Sequence, residues 1–320
     1  MDALSDVLAQ VQLTGAVFFE IDAAEPWVTE TPPGVSIVNG IFPGTQHLVP
    51  YHIVTRGTAW GGAAGETPVR LEEGDVIVFP HGDAHTLSSA PGMRGTVDAT
   101  LYRRRSDRPQ PHQVTMGASA ATTHLVCGYL GCDARPFNPL LAALPRVLHA
   151  AGADDEGLRA LVSLALSEAR ARTIGSETVL GRISELLFVH VVRRYVAAQP
   201  PDRAGWLAGL RDPLVGSALG ALHAEPARAW DLADLAQAVG TSRTVLAERF
   251  SHFVGRPPMQ YLMQWRMQLA ARELRGGTDT VAAIAERVGY TSEAAFSRAF
   301  KKHTGFSPGA WRTNAARTGT

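Results

Sequence analysis

The chain has 320 residues, 45% of them hydrophobic and 19% charged, with 30 basic and 30 acidic side chains. This is the composition of an ordinary globular protein, long enough for two domains that each bury a core. Two cysteines do not form a disulfide scaffold, and no apolar run reaches the roughly 18 residues that predict a membrane span.

The numbers of basic and acidic residues are equal over the whole chain, but the charges are unevenly distributed along it. Residues 1–211 carry 17 Lys and Arg against 21 Asp and Glu, whereas residues 212–320 carry 13 against 9. A positive C-terminal part has the sign that binding to phosphate requires. The opening segment MDALSDVLAQ is acidic and lacks the basic region of a signal peptide, so we expect a cytoplasmic protein.

Residues 14–126 predict short strands broken by glycine and proline. The predicted strands are Ala16–Asp22, Val35–Val38, His47–Thr55, Val69–Leu71, Asp75–Phe79, Gly95–Tyr102 and Thr123–Val126. Short strands at this spacing predict an all-β sandwich or barrel.

One stretch narrows that choice. Gly74, Pro80, Gly82 and His85 have a spacing that resembles the second motif of the cupin barrels, although Ser89 stands where that motif ends in Asn. The resemblance implies a jelly-roll barrel with the side chain of His85 pointing inward.

The corresponding first motif lacks the residues of a metal enzyme. No His-x-His pattern and no acidic residue occur between Gly44 and Gly57, so we expect no dioxygenase-type iron site. His47, His52, His81 and His85 remain candidates either for a pocket or for structural histidines bonded to the backbone.

Both cysteines follow His124, at Cys127 and Cys132. Three interpretations remain open: small buried core residues, a thiol pair that senses oxidants, or a soft site for zinc or another metal. A metal site would need a further ligand, for which His52, His81 and His85 are the candidates. This stretch also resembles the junction between barrel and helices in cupin-containing regulators.

Helical spacing begins after Pro139. We expect helices over Leu140–Ala150, Gly157–Ala171 and Ser176–Ala198. The last is apolar on one face through Leu180, Ile183, Leu187 and Val191, and on another through Leu186, Phe188, Val189, Val192, Tyr195 and Val196. A helix with two apolar faces either packs against a second copy of the chain or is buried within one subunit.

The last hundred residues contain one helical motif twice. Shifting the sequence by fifty positions aligns Ser242 with Ser292, Leu246 with Phe296, Phe250 with Phe300, Gly255 with Gly305, Pro258 with Pro308 and Tyr261 with Trp311. Each copy predicts helix, glycine turn and helix, over 231–254 and 280–303. That is the helix-turn-helix pattern, in which the second helix enters the major groove of DNA.

Polar residues before each helix are the expected caps. Asp231 and Asp279 precede the first helix of each copy. Thr241 or Ser242 precedes the second helix of the first copy, as do Thr291 or Ser292 in the second copy.

This segment resembles the DNA-binding domain of the AraC/XylS family of transcriptional regulators. The joining helix corresponds to Pro258–Arg275, and the closing pattern to Gly305-Phe306-Ser307-Pro308 with Trp311-Arg312. The resemblance implies a homodimer that binds double-stranded DNA and whose cupin domain is sensory.

The second helix of each copy supplies the candidate DNA contacts. They are Ser242, Arg243, Thr244, Ala247, Glu248, Ser292, Glu293, Ala294, Ser297, Arg298, Lys301 and Lys302. Arg243 and Thr244, near a helix start, are expected to contact bases, and Lys301 and Lys302 phosphates. A merely solvated charged face is the alternative for the two lysines. The two helices should meet successive major grooves, about 34 Å apart.

The sequence therefore predicts an α+β multidomain regulator, an activator or repressor rather than an enzyme. Its predicted parts are a cupin-like barrel at 1–135, a helical dimerisation segment at 136–199, a linker at 200–211 and a DNA-binding domain at 212–320. No cofactor is required, zinc or another metal is an open alternative, and the effector is unidentified. RNA polymerase is a further candidate partner. The alternatives are a cupin enzyme fused to a DNA-binding domain and a constitutive dimeric DNA-binding protein.

Overall fold

A computed structural model describes residues 3–10, 13–102, 111–132, 134–171, 173–200 and 204–318. The chain forms two compact units. One unit, called here the β unit, comprises 13–132 and 144–198, and the other, the helical unit, comprises 1–12, 133–143 and 199–320. None of the helices among the described residues is long and apolar enough to cross a membrane.

Two sheets form the β unit. In chain order the strands are β1 (Thr14–Ala23), β2 (Val28–Thr31), β3 (His47–Arg56), β4 (Ala59–Ala63), β5 (Val69–Leu71), β6 (Val76–Val78), β7 (His85–Ser88), β8 (His112–Met116), β9 (Thr123–Cys132) and β10 (Leu148–Ala150). Within the described residues they pair as a six-stranded sheet, in the order β10-β6-β3-β9-β1-β8, and a four-stranded sheet, in the order β2-β7-β4-β5.

The two sheets enclose one apolar core. Alternate residues of β3 and β9 point into it, including Leu48, Val54, Leu125 and Tyr129, and Leu87 enters it from the other sheet. This alternation is the period-2 pattern of a strand with one face on a core. The interior of the β unit is therefore filled largely by aliphatic and aromatic side chains.

Helix α5 (Ser176–Ala198) packs on the outer face of the larger sheet, and helix α4 (Glu156–Ala171) packs against α5. Gly15 on β1 and Gly181 on α5 lie so close that a Cβ on Gly15 would come within 2.3 Å of the carbonyl oxygen of Gly181. Tyr51 donates a hydrogen bond to Ser184 Oγ at 2.5 Å, and Ser184 donates to the carbonyl of Leu180. Glycine contacts and this buried hydroxyl pair hold α5 against the sheet.

Three predicted elements of the β unit are wrong. Val35–Val38 lies in helix α2 (Gly34–Ile41), where Ile37, Val38 and Ile41 are buried at helical spacing. Gly95–Tyr102 contains no strand and ends in a 3-10 turn at Ala99–Tyr102.

The third error is the helix predicted over Leu140–Ala150. The structure has a short helix α3 (Pro139–Ala143) followed by β10, which pairs with β6. Pro145 cannot donate a helical hydrogen bond, and buried Leu148 and Ala150 alternate with exposed His149, as in a strand.

The helical unit consists, in the described residues, of α1 (Ala3–Gln10), α3, α6 (Trp206–Gly209), α7 (Pro213–Ala224), α8 (Leu232–Ala238), α9 (Arg243–Val254), α10 (Pro258–Gly276), α11 (Val281–Arg287), α12 (Glu293–Thr304) and α13 (Pro308–Thr318). Helix α6 falls inside the segment predicted as a linker, and all four of its residues are buried. The unit also takes in α1 and α3, so its extent differs from the predicted boundaries.

The internal repeat is visible in the backbone. Gly240 and Gly289, with φ of 70° and 83°, each donate to a carbonyl three residues earlier in the turns that follow α8 and α11. Gly255 and Gly305 end α9 and α12 in the left-handed conformation, with φ of 74° and 83°. Glycine adopts this conformation without the strain that a Cβ imposes.

The caps follow the repeat with one exception. Ser242 and Ser292 cap α9 and α12, and Asp231 accepts from Asp234 N as the cap of α8. Helix α11 is capped by Thr280 rather than by the predicted Asp279, whose carboxylate instead pairs with an arginine.

Helix α10 joins the two copies and is buried on several sides. Tyr261, Leu262 and Trp265 are buried near its start, and Met267 and Leu274 belong to the core of the second copy. Trp311 Nε1 donates to the carbonyl of Ala271 at 3.2 Å and closes that core from α13.

Candidate nucleic-acid interface and sensory site

The first candidate interface is the exposed N-terminal half of α9. Ser242 Oγ accepts from the backbone N of Val245 at 3.3 Å and fixes the helix start. Arg243, Thr244 and Glu248 project into solvent, while Leu246 is fully buried on the opposite side. Exposed donors and acceptors near a helix N-terminus are what direct contact with base edges requires.

Helix α12 repeats this arrangement. Ser292 Oγ accepts from Ala295 N, Phe296 and Phe300 are buried, and Glu293, Ala294 and Arg298 are exposed. Lys301 and Lys302 are exposed in the last turn. Two of the predicted contact residues, Ala247 and Ser297, are only half-exposed and lie at the edges of these faces.

Several arginines of the helical unit are bound within the protein. The Arg249 guanidinium pairs with Asp212 at 2.5 Å, Arg287 pairs with Glu273 at 2.5 Å, and Arg266 donates to the carbonyl oxygens of Pro226 and Arg228. These contacts stabilise helix ends and turns, so these guanidinium groups are already engaged.

Four cations of the two second helices differ from these. Arg243, Arg298, Lys301 and Lys302 make no side-chain hydrogen bond or ion pair with any residue that the structure describes. All four are exposed on α9 or α12. Their charges are therefore available to an external polyanion.

Val245 is a candidate contact that sequence reasoning missed. Its side chain is 48% exposed, between Thr244 and Leu246 on the first turn of α9. An apolar side chain left in solvent there fits contact with the methyl group of thymine. The signal was present in the sequence, because Val245 departs from the spacing of buried Leu246, Phe250 and Phe253.

In the β unit, the structure brings together two of the predicted histidines. His52 on β3 and His85 on β7 are buried, and their Nε2 atoms lie 2.8 Å apart. His85 stacks on Phe79 with ring centroids 3.8 Å apart. Both imidazoles thus lie inside the core between the sheets.

The hydrogen bonds of this pair determine which ring nitrogens carry the protons. His85 Nδ1 donates to the carbonyl of Asp83 at 2.8 Å, so its Nε2 accepts the bond from His52 Nε2. His52 Nδ1 is then an acceptor, and it is buried with no hydrogen-bond partner in the part of the chain that the structure describes. Burial lowers the pKa of His52 well below 6.5 and that of His85 to about 4, so both rings are neutral at neutral pH.

The two cysteines lie on opposite faces of β9. Cys127 is in the core beside His52, its partner in the strand register, whereas Cys132 is at the strand end opposite His47. Five residues along a strand span about 16 Å, far beyond the Cα separation of a disulfide. The interpretation of a redox pair within one chain therefore does not fit this structure.

The remaining candidates lie apart from the buried pair. His81 is exposed and donates from Nε2 to the carbonyl of Leu144 at 2.9 Å. His124 lies on the outer face of the larger sheet, with Nδ1 2.5 Å from Asp22 Oδ1. The histidines and cysteines singled out in the sequence are therefore not gathered into one site, although several of them are close together in the chain.

The zinc alternative does not fit the described residues either. No three His, Cys, Asp or Glu side chains among them are grouped so that they could hold a metal ion. His52 and His85 direct Nε2 at each other, and Cys127 is a free thiol whose pKa is raised by burial. A metal would have to replace that hydrogen bond and ionise the thiol.

Two protein-family models match the chain. A model described as "Cupin" matches residues 2–197, and a model described as "Helix-turn-helix domain" matches residues 235–314.

Relatives match over nearly the whole chain. A putative AraC-like transcription regulator of Streptomyces lividans is 33% identical, covering 98% of each chain. The RCS-specific HTH-type transcriptional activator RclR of Escherichia coli is 26% identical, covering 98% of this chain and 97% of its own. Among solved structures, the DNA-binding domain of AdpA in complex with a target DNA is 32% identical over 33% of this chain and 96% of its own, with a TM-score of 0.31.

Proposed function

The chain belongs to the AraC/XylS family of DNA-binding transcription regulators, and we propose that it binds paired sites as a homodimer controlled by a small effector. The relatives named above are regulators, and this protein is likewise a regulator rather than an enzyme. A location in the cytoplasm is part of this proposal, because a transcription regulator acts where its DNA lies.

One observation carries the proposed mode of DNA binding. Helices α9 and α12 have the same serine cap, the same glycine end and the same buried face, and both leave unpaired cations exposed. Two equivalent second helices joined by α10 fit successive major grooves, about 34 Å apart. Base contacts from Arg243 and Thr244 would specify sequence, and phosphate contacts from Lys301 and Lys302 would add affinity.

Selection from a pool of randomised double-stranded DNA with the full-length chain tests this mode. We expect two short conserved blocks per protomer, with centres about 10 base pairs apart. An Arg243→Ala/Arg298→Ala variant should lose the enrichment, whereas Arg228→Ala, whose guanidinium pairs with Glu225 and stacks on Trp230, should keep it. Enrichment of a single block would contradict the use of both copies.

Helices α4 and α5 support the proposed homodimer. Leu164 on α4 is 51% exposed, and Val179 and Leu186 on α5 are 40% and 55% exposed. Ala160 and Ala171 extend the apolar face of α4. Part of the predicted dimer face is excluded, because Phe188 and Val192 are buried within the subunit. Large apolar side chains on adjoining helices are typical of association surfaces.

Sedimentation of full-length variants tests the dimer. Leu164→Asp and Leu186→Asp should each shift the protein towards monomer, because a charge would be buried in an apolar interface. Val35→Asp is the control, since Val35 is 83% exposed on α2. A monomeric wild type at micromolar concentration would refute the homodimer.

Two further partners belong to this proposal. The effector would act on the β unit, and we expect it to change the affinity of the protein for DNA. If no added molecule changes that affinity, a constitutive DNA-binding protein is favoured.

The acidic side of α8, with exposed Asp231 and Asp234, is the candidate contact for RNA polymerase. Asp234→Asn should then lower transcription in vitro while leaving DNA affinity unchanged.

A further inference from the structure

A cleft of about 500 Å³ opens in the β unit between α4 and the outer face of the larger sheet. Strands β1, β3, β8 and β9 contribute one wall, and Leu166 and Arg170 of α4 contribute the other. The volume is in the range of small-molecule sites, about 300–1,000 Å³. The cleft lies outside the core that contains His52 and His85.

Charges of both signs line this cleft without neutralising each other. Arg56 and Arg170 make no hydrogen bond or ion pair with the residues that the structure describes, nor does Glu73, which also lines the cleft. By contrast, the exposed guanidinium group of Arg146 in the same unit pairs with Glu66 and Asp83. The cleft therefore brings several charged groups together without such pairing.

The other polar side chains of the cleft are held in place by their neighbours. His124 Nδ1 is bound to Asp22 Oδ1, and Gln113 donates to Glu20. His124 Nε2 is buried and has no hydrogen-bond partner among the described residues, so Asp22 is the side chain seen to orient this imidazole. These contacts set the positions of the Asp22 and Glu20 carboxylates before any ligand arrives, which lowers the entropic cost of binding.

We propose that this cleft binds a small zwitterion of the amino-acid class. Arg56 and Arg170 would hold its carboxylate, since guanidinium groups bind carboxylates with paired hydrogen bonds. Glu73, assisted by Asp22, would hold its ammonium group. Val126 and Leu166 provide apolar surface for a side chain.

Such a ligand would bridge the sheet to α4, the helix that presents Leu164 on its other side. Its regulatory meaning rests on the proposed function, because an effector can shift dimerisation only through contacts that differ between the two states. Binding itself does not depend on DNA.

The test is a calorimetric titration of the full-length protein with each of the twenty L-amino acids. At least one should bind with a Kd below about 1 mM, and Arg170→Gln or Glu73→Gln should weaken it at least about tenfold. Arg70→Gln is the control, because Arg70 is also an exposed arginine but pairs with Glu72 outside the cleft.

Putrescine and glutarate serve as probes of a single charge sign. Weaker binding of both than of the amino acid supports the zwitterion. Equal binding of glutarate, with Glu73→Gln without effect, would overturn it, as would no binding of any amino acid up to about 10 mM. DNA affinity is measured on the same samples to distinguish the two proposals. If no sample binds DNA, the proposed function is contradicted, whereas the proposal for the cleft is judged by the calorimetric titration alone.

Discussion

His52 donates a hydrogen bond from Nε2 to Nε2 of His85, 2.8 Å away, in the core between the two sheets. His85 must be neutral to accept this bond, because a protonated His85 would present two donors and lose its acceptor. Burial in an apolar environment favours the neutral forms and lowers the pKa of each ring. The pair links β3 to β7 and thereby one sheet to the other.

This pair predicts acid lability of the β unit. The pKa of His85 is about 4 in the folded chain against 6.5 unfolded, so the unfolded chain binds its proton first as the pH falls. Stability is therefore full above pH 6.5, falls as the pH is lowered towards about 4, and loses roughly 3 kcal/mol from His85 alone. Urea unfolding followed by circular dichroism over this range measures the loss.

The matched variant is His52→Gln/His85→Gln, in which neither residue titrates. Its free energy of unfolding should depend less on pH than that of the wild type over the same range. His81→Gln, which removes an exposed imidazole of the same unit, is the control substitution. Parallel curves for the wild type and the double variant would show that the buried pair is not the cause.

The helical unit could be predicted in detail because its signals are local. Ser242, Ser292, Gly255 and Gly305 each cap a helix through residues within a few positions, and they occur twice in the same order. The one wrong cap is Asp279, which sits beside Thr280; Thr280 caps α11, and the Asp279 carboxylate pairs with Arg287. The family predicted from this repeat is confirmed by the matching family models and relatives.

The β unit was predicted less well because its contacts are between distant residues. His52 and His85 are 33 positions apart, and their contact depends on how two strands from different sheets face each other. Cys127 and Cys132 are close in sequence yet lie on opposite faces of β9. The cleft beside Arg170 is formed by four strands and a helix that are far apart in the chain, so no local sequence motif could predict it.

The thiols are expected to be inert in the folded protein. Cys127 and Cys132 are 2% and 3% exposed, and burial raises the pKa of Cys127 above its ordinary value, so little nucleophilic thiolate forms. Ellman's reagent should label neither thiol in the native state and both in guanidinium chloride. A mass loss of two hydrogens after mild peroxide treatment of the native chain would contradict this and restore the redox pair.

Arg243→Ala is expected to cost about 1–3 kcal/mol at the selected DNA site and to relax one base position. The guanidinium group is exposed at the first residue of α9, where paired hydrogen bonds to guanine O6 and N7 are accessible. Arg243→Lys keeps the charge but not the paired geometry, so it should also lose specificity. Equal losses on all sequences would instead make Arg243 a phosphate contact.

Val245→Ala is expected to weaken binding only to sites that carry a thymine opposite this side chain. Uracil in place of that thymine removes the methyl group, and wild-type affinity should fall by about 1 kcal/mol, the scale of one buried methylene. Binding by the variant should be nearly indifferent to the same change. Identical losses in the two proteins at every thymine tested would remove Val245 from the interface.

Lys301→Ala/Lys302→Ala is expected to weaken binding to any DNA sequence and to flatten its dependence on salt. Each phosphate contact releases counterions and contributes about 0.9 to the slope of log K against log salt concentration, so the double variant should lose between one and two units of slope. These exposed lysines lie in the last turn of α12, away from the helix start that we propose to face base edges. Lys301→Arg/Lys302→Arg keeps both charges and should keep the slope. If the alanine variant also keeps it, the two lysines belong to a solvated surface, and the phosphate contacts must come from elsewhere on the helical unit.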